Sequence, residues 1–498
     1  MHAAAVLLVR AYADALEILQ RRSRLLLLLV IALLVPSWVM QITDARLTGD
    51  ELANARMAVN LAHHGVISHE NGPSPRETMY REPVPAVTIA PFVLLADARL
   101  GQAPTDAYLI GERAQYLKYH HVIWKALAVA GTYALVIALG APPVAALAGA
   151  LLVGTRPDLD SLNTELEGGA LLVAAAAVLV FALRQRRVAP LLLAGLLFGL
   201  AALTKAAVLY VFAGLLAALP AVLRLTRAEN GRQETPRRTF ATVALLAVGF
   251  AIVTLPWMYR NYVKLESFQI SSRAGIVLFL RATKNQVSWE EFKGAFYVWS
   301  RPGFKPLMGA LTGYDEADLA AGGKLQRLNR KAEGELARID LEAELAGEPE
   351  KALTFYRRAR AERVRLVAEY SAHLEPRAAE LEADRELARR ALAAIVDEPF
   401  RHLAMALPLT WRGAHVYVPV LLLLLGYACK TRRRELLLVT LFCAGFIAFH
   451  SLFSHFEPRY SAPLRSTLGA LVIATVVDAW RLLRARVGVG RFRSRLAA

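Results

Sequence analysis

Residues 25–40 read LLLLLVIALLVPSWVM, and residues 47–51, close behind them, read LTGDE. The first stretch carries no charge and approaches the roughly 20 apolar residues that cross a bilayer. Arg21, Arg22 and Arg24 precede it, as basic residues precede a signal peptide. No small-x-small cleavage pattern follows, and further apolar runs come later, so it reads as an uncleaved first span. The pair Asp50-Glu51 therefore stands just beyond a membrane exit. Carboxylates are costly in hydrocarbon, so the pair must face water or a polar pocket.

Working outward, the same apolar pattern recurs. Runs at 121–139, 142–155, 168–183, 188–203, 205–223, 239–256, 415–429, 436–453 and 463–483 follow the first. The chain has 498 residues, 56% of them hydrophobic, and a mean hydropathy of +0.36. A soluble protein of this size needs a more polar surface. The expected fold is an all-α polytopic membrane protein of about ten transmembrane helices, with extracytoplasmic juxtamembrane helices and a mainly helical outer segment. A further run, 83–98, is interrupted by Pro83, Pro85 and Pro91. It reads as a juxtamembrane or re-entrant piece, with an eleventh span as the alternative.

The net charge of +17 comes from 59 Lys and Arg against 42 Asp and Glu. Nucleic acid is one partner that a basic chain suggests, but the clusters fall at span ends. They are Arg21–Arg24, Arg184–Arg187, the linker from Arg224 to Arg238, Lys430–Arg434 and the tail from Arg481 to Arg495. Alternating spans from an inside N-terminus put all five in the cytoplasm, as the positive-inside rule requires. Counting 83–98 as a span would move Arg184–Arg187 outside. The expectation is a multi-pass protein of the inner (plasma) membrane with both termini cytoplasmic and no nucleic-acid partner. The two cysteines, Cys429 and Cys443, lie in or beside apolar runs and imply no disulfide.

This alternation divides the chain into 1–256, an N-terminal transmembrane module with a first outer loop at 42–120; 257–412, an outer helical segment; and 413–498, C-terminal spans with a basic cytoplasmic tail. Residues 315–390 are dense in Glu, Arg, Ala and Leu, a composition of water-exposed amphipathic helices. Breaks are expected at Gly347-Glu348-Pro349 and at Pro376.

The residues suited to chemistry all fall on the outer side. Asp50 opens a helical pattern through Leu52, Ala55, Val59 and Ala62 that stops at Gly65. It stands where an N-cap would, which is the plain alternative to a catalytic role. Arg81, in Tyr80-Arg81-Glu82-Pro83-Val84-Pro85, either grips a phosphate or anchors the chain at the interface. Asp158, Asp160, Glu165 and Glu167 offer the oxygen ligands that divalent cations take, or simply helix-start acids. Lys205 sits in an outer turn of almost no length, held by a lipid phosphate or snorkelling to the interface. Arg260 and Arg459 each stand among aromatics, in Trp257-Met258-Tyr259-Arg260 and in His455-Phe456-Glu457-Pro458-Arg459-Tyr460. The histidine pairs His63-His64 and His120-His121, with His450 and His455, match no zinc spacing, so a metal held by histidine is not expected.

In order, these elements resemble a known family. They are Asp50-Glu51 after span one, a helix ending near Gly65, a loop ending in charged-Pro-x-Pro, Thr164-Glu165 opening a later span, Gly199 through Lys205, Trp257-x-x-Arg260-Asn261, and Arg459-Tyr460 before the last span. The chain looks like the integral-membrane glycosyltransferases of the GT-C class. The likeness is to the family 39 and aminoarabinose-transferase-like branch, related to protein O-mannosyltransferases, over about residues 25 to 480. It implies transfer of a sugar from a polyprenyl-phosphate donor to a protein, lipid or glycan acceptor at the outer face. It gives Asp50 the role of base or acceptor-positioning group, with Glu51 as its partner. Arg81, Lys205, Arg260, Arg459 and Tyr460 would face the donor phosphate, and Asp158 and Glu165 would hold a divalent metal cation. That branch carries Lys where Arg81 stands, with Glu82 after it here rather than before. An acceptor attacking opposite the phosphate would invert the anomeric centre. Two rival readings are a lipid-linked-sugar flippase, which would show related halves and broken mid-membrane helices, and a non-catalytic scaffold presenting 315–390.

Overall fold

The computed structural model describes residues 21–226, 235–330 and 333–496, with side chains to residue 485. Part of the Arg224–Arg238 linker and most side chains of the basic tail lie outside these limits. The described residues form helices and connecting turns, without a strand. They divide into two compact units, one of residues 1–270, 419–444 and 462–498, the other of 271–418 and 445–461.

The first unit holds α1 (Ser23–Met40), α2 (Asp50–His64), α3 (Pro83–Leu100), α4 (Gly111–Lys118), α5 (His120–Ala138), α6 (Pro143–Gly154), α7 (Glu165–Gln185), α8 (Ala189–Ala202), α9 (Ala207–Leu225) and α10 (Pro236–Leu265). Its hydrogen bonds define two ends. At one, Arg184, Arg433 and Arg481 donate to the carbonyls of Ala138, Leu139 and Gly140 at 2.7, 2.7 and 2.9 Å. There Arg434 reaches Leu183 O at 2.9 Å, and the Tyr133 hydroxyl donates to Ser23 at the start of α1, at 2.7 Å. Basic clusters far apart in sequence thus share one end. At the other end, the Trp38 indole donates to Gly154 O at 2.7 Å, joining the exits of α1 and α6. The backbones of Gly169 and Pro463 also meet there, a Cβ on Gly169 lying 3.0 Å from Pro463 O.

Between these ends the spans pack through small residues. A Cβ on Gly195 would collide with Leu246 O, and one on Gly249 with Leu192 O. The glycines let α8 and α10 touch backbone to backbone, the usual means of helix association in lipid. Among the described residues, eight helical stretches are long and apolar enough to cross a membrane, α3 among them, or up to nine if Pro399–Ala414 and Tyr417–Thr431 form one broken span. Although α6 and α8 have only 12 and 14 residues, they run in series with full-length neighbours between the same two ends. The fold is an all-α polytopic membrane fold.

The interrupted run at 83–98 forms one helix, α3. Pro83 and Pro85 fall in its first turn, where no N–H is needed. Its partner is the polar helix α2. Arg81, just before α3, meets Asp50 and Asn54 in the first turn of α2. Asp97, near its other end, meets His63 in the last turn of α2 at 2.8 Å. Ile89, Val93 and Ala96 pack with Ala55, Ala58 and Val59 between. By length and composition α3 meets the requirement for a span, while the charged residues at its two margins tie it to α2.

The second unit contains α11 (Ala274–Ala282), α12 (Trp289–Val298), α13 (Lys305–Thr312), α14 (Gly334–Ala346), α15 (Phe355–Ser371), α16 (Pro376–Asp397) and α17 (Pro399–Ala414). Then follow α18 (Tyr417–Thr431) and α19 (Arg434–Phe453), which the two units divide, and α20 (Arg465–Leu496) of the first unit. Gly347 ends α14 at φ 68° and Pro376 opens α16, the two breaks that the sequence marks. Ile276, Leu280, Ala359, Leu366, Ala383 and Leu387 form a core. The Asp384 carboxylate accepts from Gly275 N and Ile276 N at 2.8 and 2.9 Å, satisfying N–H groups that the first turn of α11 leaves open.

Candidate functional site

The acidic pair at the start of α2 splits its work. Gly49, at φ 53°, is the N-cap, a left-handed conformation that glycine adopts without strain. Asp50 is thus the first helical residue and not the cap, which corrects the capping alternative. Glu51 reaches back past the helix start, its Oε2 accepting from Thr48 N at 2.9 Å. Its Oε1 also accepts from Leu162 N at 3.2 Å and Asn163 Nδ2 at 3.3 Å. Asn54 donates to Leu162 O at 2.7 Å. Glu51 therefore fastens the outer loop before α7 onto α2.

Asp50 forms an ion pair with Arg81. The same guanidinium donates through Nη1 to Asn54 Oδ1 at 3.2 Å, while its buried Nε has no hydrogen-bond partner. Next in sequence, Glu82 accepts from Ala206 N at 3.1 Å, and Val84 N donates to Leu203 O at 3.1 Å. This docks the charged-Pro-x-Pro loop on the tight turn that carries Lys205. Lys205 in turn pairs with Glu165 at 3.1 Å, both side chains 14% exposed. Four separate motifs are thereby joined: Asp50, Arg81-Glu82, Glu165 and Lys205. Arg260 reaches the same loop, donating to Thr78 O at 3.1 Å and pairing with Glu77 at 3.2 Å. Its guanidinium lies 4.7 Å from the centre of the Trp257 ring.

Asp158 and Asp160 each meet a lysine that sequence reading passed over. Lys125 binds Asp158 at 2.5 Å and Lys118 binds Asp160 at 2.7 Å. Burial pushes the Asp160 carboxyl up, but Lys118 and Thr43 donate to it and together hold it below its ordinary value. Asp158 and Glu165, the pair expected to hold a metal, are thus each engaged by an ammonium group. Among the described residues, one group has metal-ligand spacing instead: His120, His121 and Glu167, all buried, with one ligand atom from each within 4.8 Å of the others. The sequence signal was the adjacent His120-His121, which matches no zinc spacing because its third member, Glu167, lies on another helix.

In the second unit, Arg459 pairs with Glu457 at 3.2 Å and lies over the Tyr460 ring at 5.5 Å. The Tyr460 hydroxyl is 3.0 Å from His455 Nε2. His455 lines a small cavity with Lys284, Trp299, Arg330, Tyr356 and Arg412. Glu457 also pairs with Arg330. Lys284 is buried, and among the described residues its ammonium donates to Leu280 O at 2.7 Å. Burial, reinforced by Arg412, Arg281 and Arg330, holds its ammonium pKa well below the ordinary value. Lys284, Arg330 and Arg412 are basic residues of this pocket that no sequence motif marks.

No family model matches the chain, and no curated protein matches it. Solved structures similar to it include the archaeal oligosaccharyltransferase AglB from Archaeoglobus fulgidus in complex with an inhibitory peptide and a dolichol-phosphate. That likeness has a TM-score of 0.45 at 14% identity, covering 94% of this chain and 52% of that one. The same oligosaccharyltransferase in complex with Zn and sulfate gives 0.32 at 17% identity, over 85% and 53% of the two chains. ArnT from Cupriavidus metallidurans in the apo state gives 0.33 at 14% identity, over 86% and 77%. The chain spans about half the length of the oligosaccharyltransferases it matches.

Proposed function

We propose that this protein is a glycosyltransferase of GT-C type that moves a sugar from a polyprenyl-phosphate donor to a protein, lipid or glycan acceptor at the outer face of the membrane. The observation that carries the reading is the linkage of Asp50, Arg81, Glu165 and Lys205, drawn from four separate stretches. In this reading the acceptor oxygen or nitrogen attacks the anomeric carbon, and the bond from that carbon to the phosphate oxygen breaks. The electron pair leaves with polyprenyl phosphate, the anomeric centre inverts, and the acceptor proton passes to Asp50. Transfer of this kind needs a positioned base and cations where charge develops.

Arg81 holds Asp50 in place, and its unpartnered Nε is a donor suited to a phosphate oxygen. Lys205 and Arg260 supply further positive charge. A divalent cation at Asp158 and Glu165 would displace the ammonium groups of Lys125 and Lys205, so Lys205 takes the electrostatic part at Glu165. Arg459 and Tyr460 keep a phosphate-facing role as a separate proposal, supported by the surplus of cations around the second unit's cavity.

The test is turnover of polyprenyl-phosphate sugars by purified protein in lipid nanodiscs, with release of the carrier and the product's anomeric configuration as readouts. Charged hydrogen bonds are worth about 1.5–3 kcal/mol, so Lys205→Ala and Arg459→Ala are expected to weaken donor binding by that much in calorimetry. Unchanged affinity in both variants would remove the phosphate assignment. Transport of the donor across vesicles without transfer would favour the flippase reading.

A further inference from the structure

His120 opens α5, His121 follows it, and Glu167 lies in the first turn of α7. Each is 1% exposed. His120 Nδ1 lies 2.9 Å from Leu117 O. A carbonyl only accepts, so Nδ1 carries the proton, and Nε2 of the neutral ring is a lone pair. That lone pair points at Glu167 Oε1, 2.7 Å away. The same logic places the His121 proton on Nδ1, 3.4 Å from Leu159 O, and leaves His121 Nε2 as a second lone pair. His121 Nε2 and Glu167 Oε2 are both buried without a hydrogen-bond partner. The Thr88 hydroxyl is 3.2 Å from Glu167 Oε1 and also 3.2 Å from Pro85 O, and its single proton serves one of them.

Two imidazole lone pairs and a carboxylate thus face one another in a dry site, an arrangement that is unfavourable unless something positive joins them. A shared proton settles one contact, between His120 and Glu167. It leaves His121 Nε2 and Glu167 Oε2 as they are. A divalent cation settles all three. The second nitrogen of each histidine donating to a backbone carbonyl is also how metal-binding imidazoles are held. We propose that His120, His121 and Glu167 form a divalent-cation site, with zinc the metal that a set of two imidazoles and one carboxylate favours.

The ligand atoms, within 4.8 Å of one another, close on one ion at zinc-ligand bonds of about 2.0–2.2 Å with small side-chain shifts. The site is sealed from solvent, so its role is structural. It ties the start of α5 to the start of α7, and so fixes the turn that carries Glu165. It does not depend on the glycosyltransferase reading.

The full chain, purified in detergent without chelator, is expected to hold about one zinc by elemental analysis. With both Glu167 oxygens on the metal beside the two imidazoles, cobalt exchanged for it should give the intense visible ligand-field bands of a four-coordinate site. Zinc should raise the thermal midpoint of metal-stripped protein, since a ligand bound only by the native state stabilises it, and magnesium should not. His121→Asn and Glu167→Gln should lose the metal, while Asp158→Asn and Glu165→Gln keep it. Stripped wild type that takes up no zinc and gives only the weak bands of six-coordinate cobalt would overturn the proposal, and that readout needs no variant to fold. Full metal retained by both His121→Asn and Glu167→Gln would overturn it as well.

Discussion

Asp50 is the first residue of α2, and its carboxylate meets the guanidinium of Arg81. This placement changes what a substitution tests. Asn keeps the size of Asp and can still accept from Arg81, but it takes up no proton. With Asp50 as the base, Asp50→Asn should slow sugar transfer by on the order of 10²–10⁴-fold at matched protein, with donor affinity kept. A merely structural ion pair predicts a lower thermal midpoint and unchanged turnover per folded molecule. Stopped transfer with intact donor binding and an unchanged midpoint separates the two. At this scale the sequence was partly legible. The membrane-edge position of Asp50 and the swapped Arg81-Glu82 order were visible, and Glu82 proves to face Ala206 N. The lysines on Asp158 and Asp160 were not, because Lys118 and Lys125 lie 42 and 33 residues away from the carboxylates they meet. Glu51 was expected as the partner of Asp50, yet its carboxylate accepts hydrogen bonds from Thr48, Leu162 and Asn163. The contacts to Leu162 and Asn163 cross more than a hundred residues and leave no local trace.

At the scale of elements, apolar periodicity marked where helices lie but not which ones touch. The run at 83–98 shows the difference. Its prolines suggested a break, yet two of them fall in a first turn and cost nothing there. Its place beside α2 rests on Asp97 and Arg81, charged residues at its margins. The crossing of α8 and α10 shows the opposite case, since Gly195 and Gly249 sit in runs where glycine draws no attention. Each approaches the facing backbone so closely that a side chain has no room. Gly249→Leu is expected to separate the helices and lower stability by about 1–3 kcal/mol, the cost typical of overpacking. Gly214, around which a Cβ would meet nothing within 4 Å, supplies the control. Gly214→Leu should leave the thermal midpoint nearly unchanged, and equal effects of the two substitutions would contradict the close crossing.

For the whole molecule, charge carries the orientation. The arginines that close on the Ala138–Gly140 turn come from three separate basic clusters, at Arg184, Arg433 and Arg481, and Tyr133 brings the start of α1 to the same end. One end of the first unit is therefore arginine-rich, while Asp50, Glu165 and Lys205 lie at the other. The positive-inside rule assigns the arginine-rich end to the cytoplasm. On that assignment the proposed site would face outward, where a lipid-linked donor would meet its acceptor. Residues 315–390, dense in charge and without a membrane-length apolar run, should be outside as well. Cysteine probes can read this directly, once Cys429 and Cys443 are replaced. Gly323 is a poor probe position, because a Cβ there would strike the Asp318 carbonyl. Ala321, exposed in the same turn, avoids that collision. A membrane-impermeant thiol reagent added to intact cells should modify Ala321→Cys and leave Gly231→Cys untouched until the membrane is opened. The reverse pattern would place the arginine-rich end outside. It would also set Asp50 and Lys205 on the cytoplasmic face, where the outward-facing transfer proposed for them could not occur.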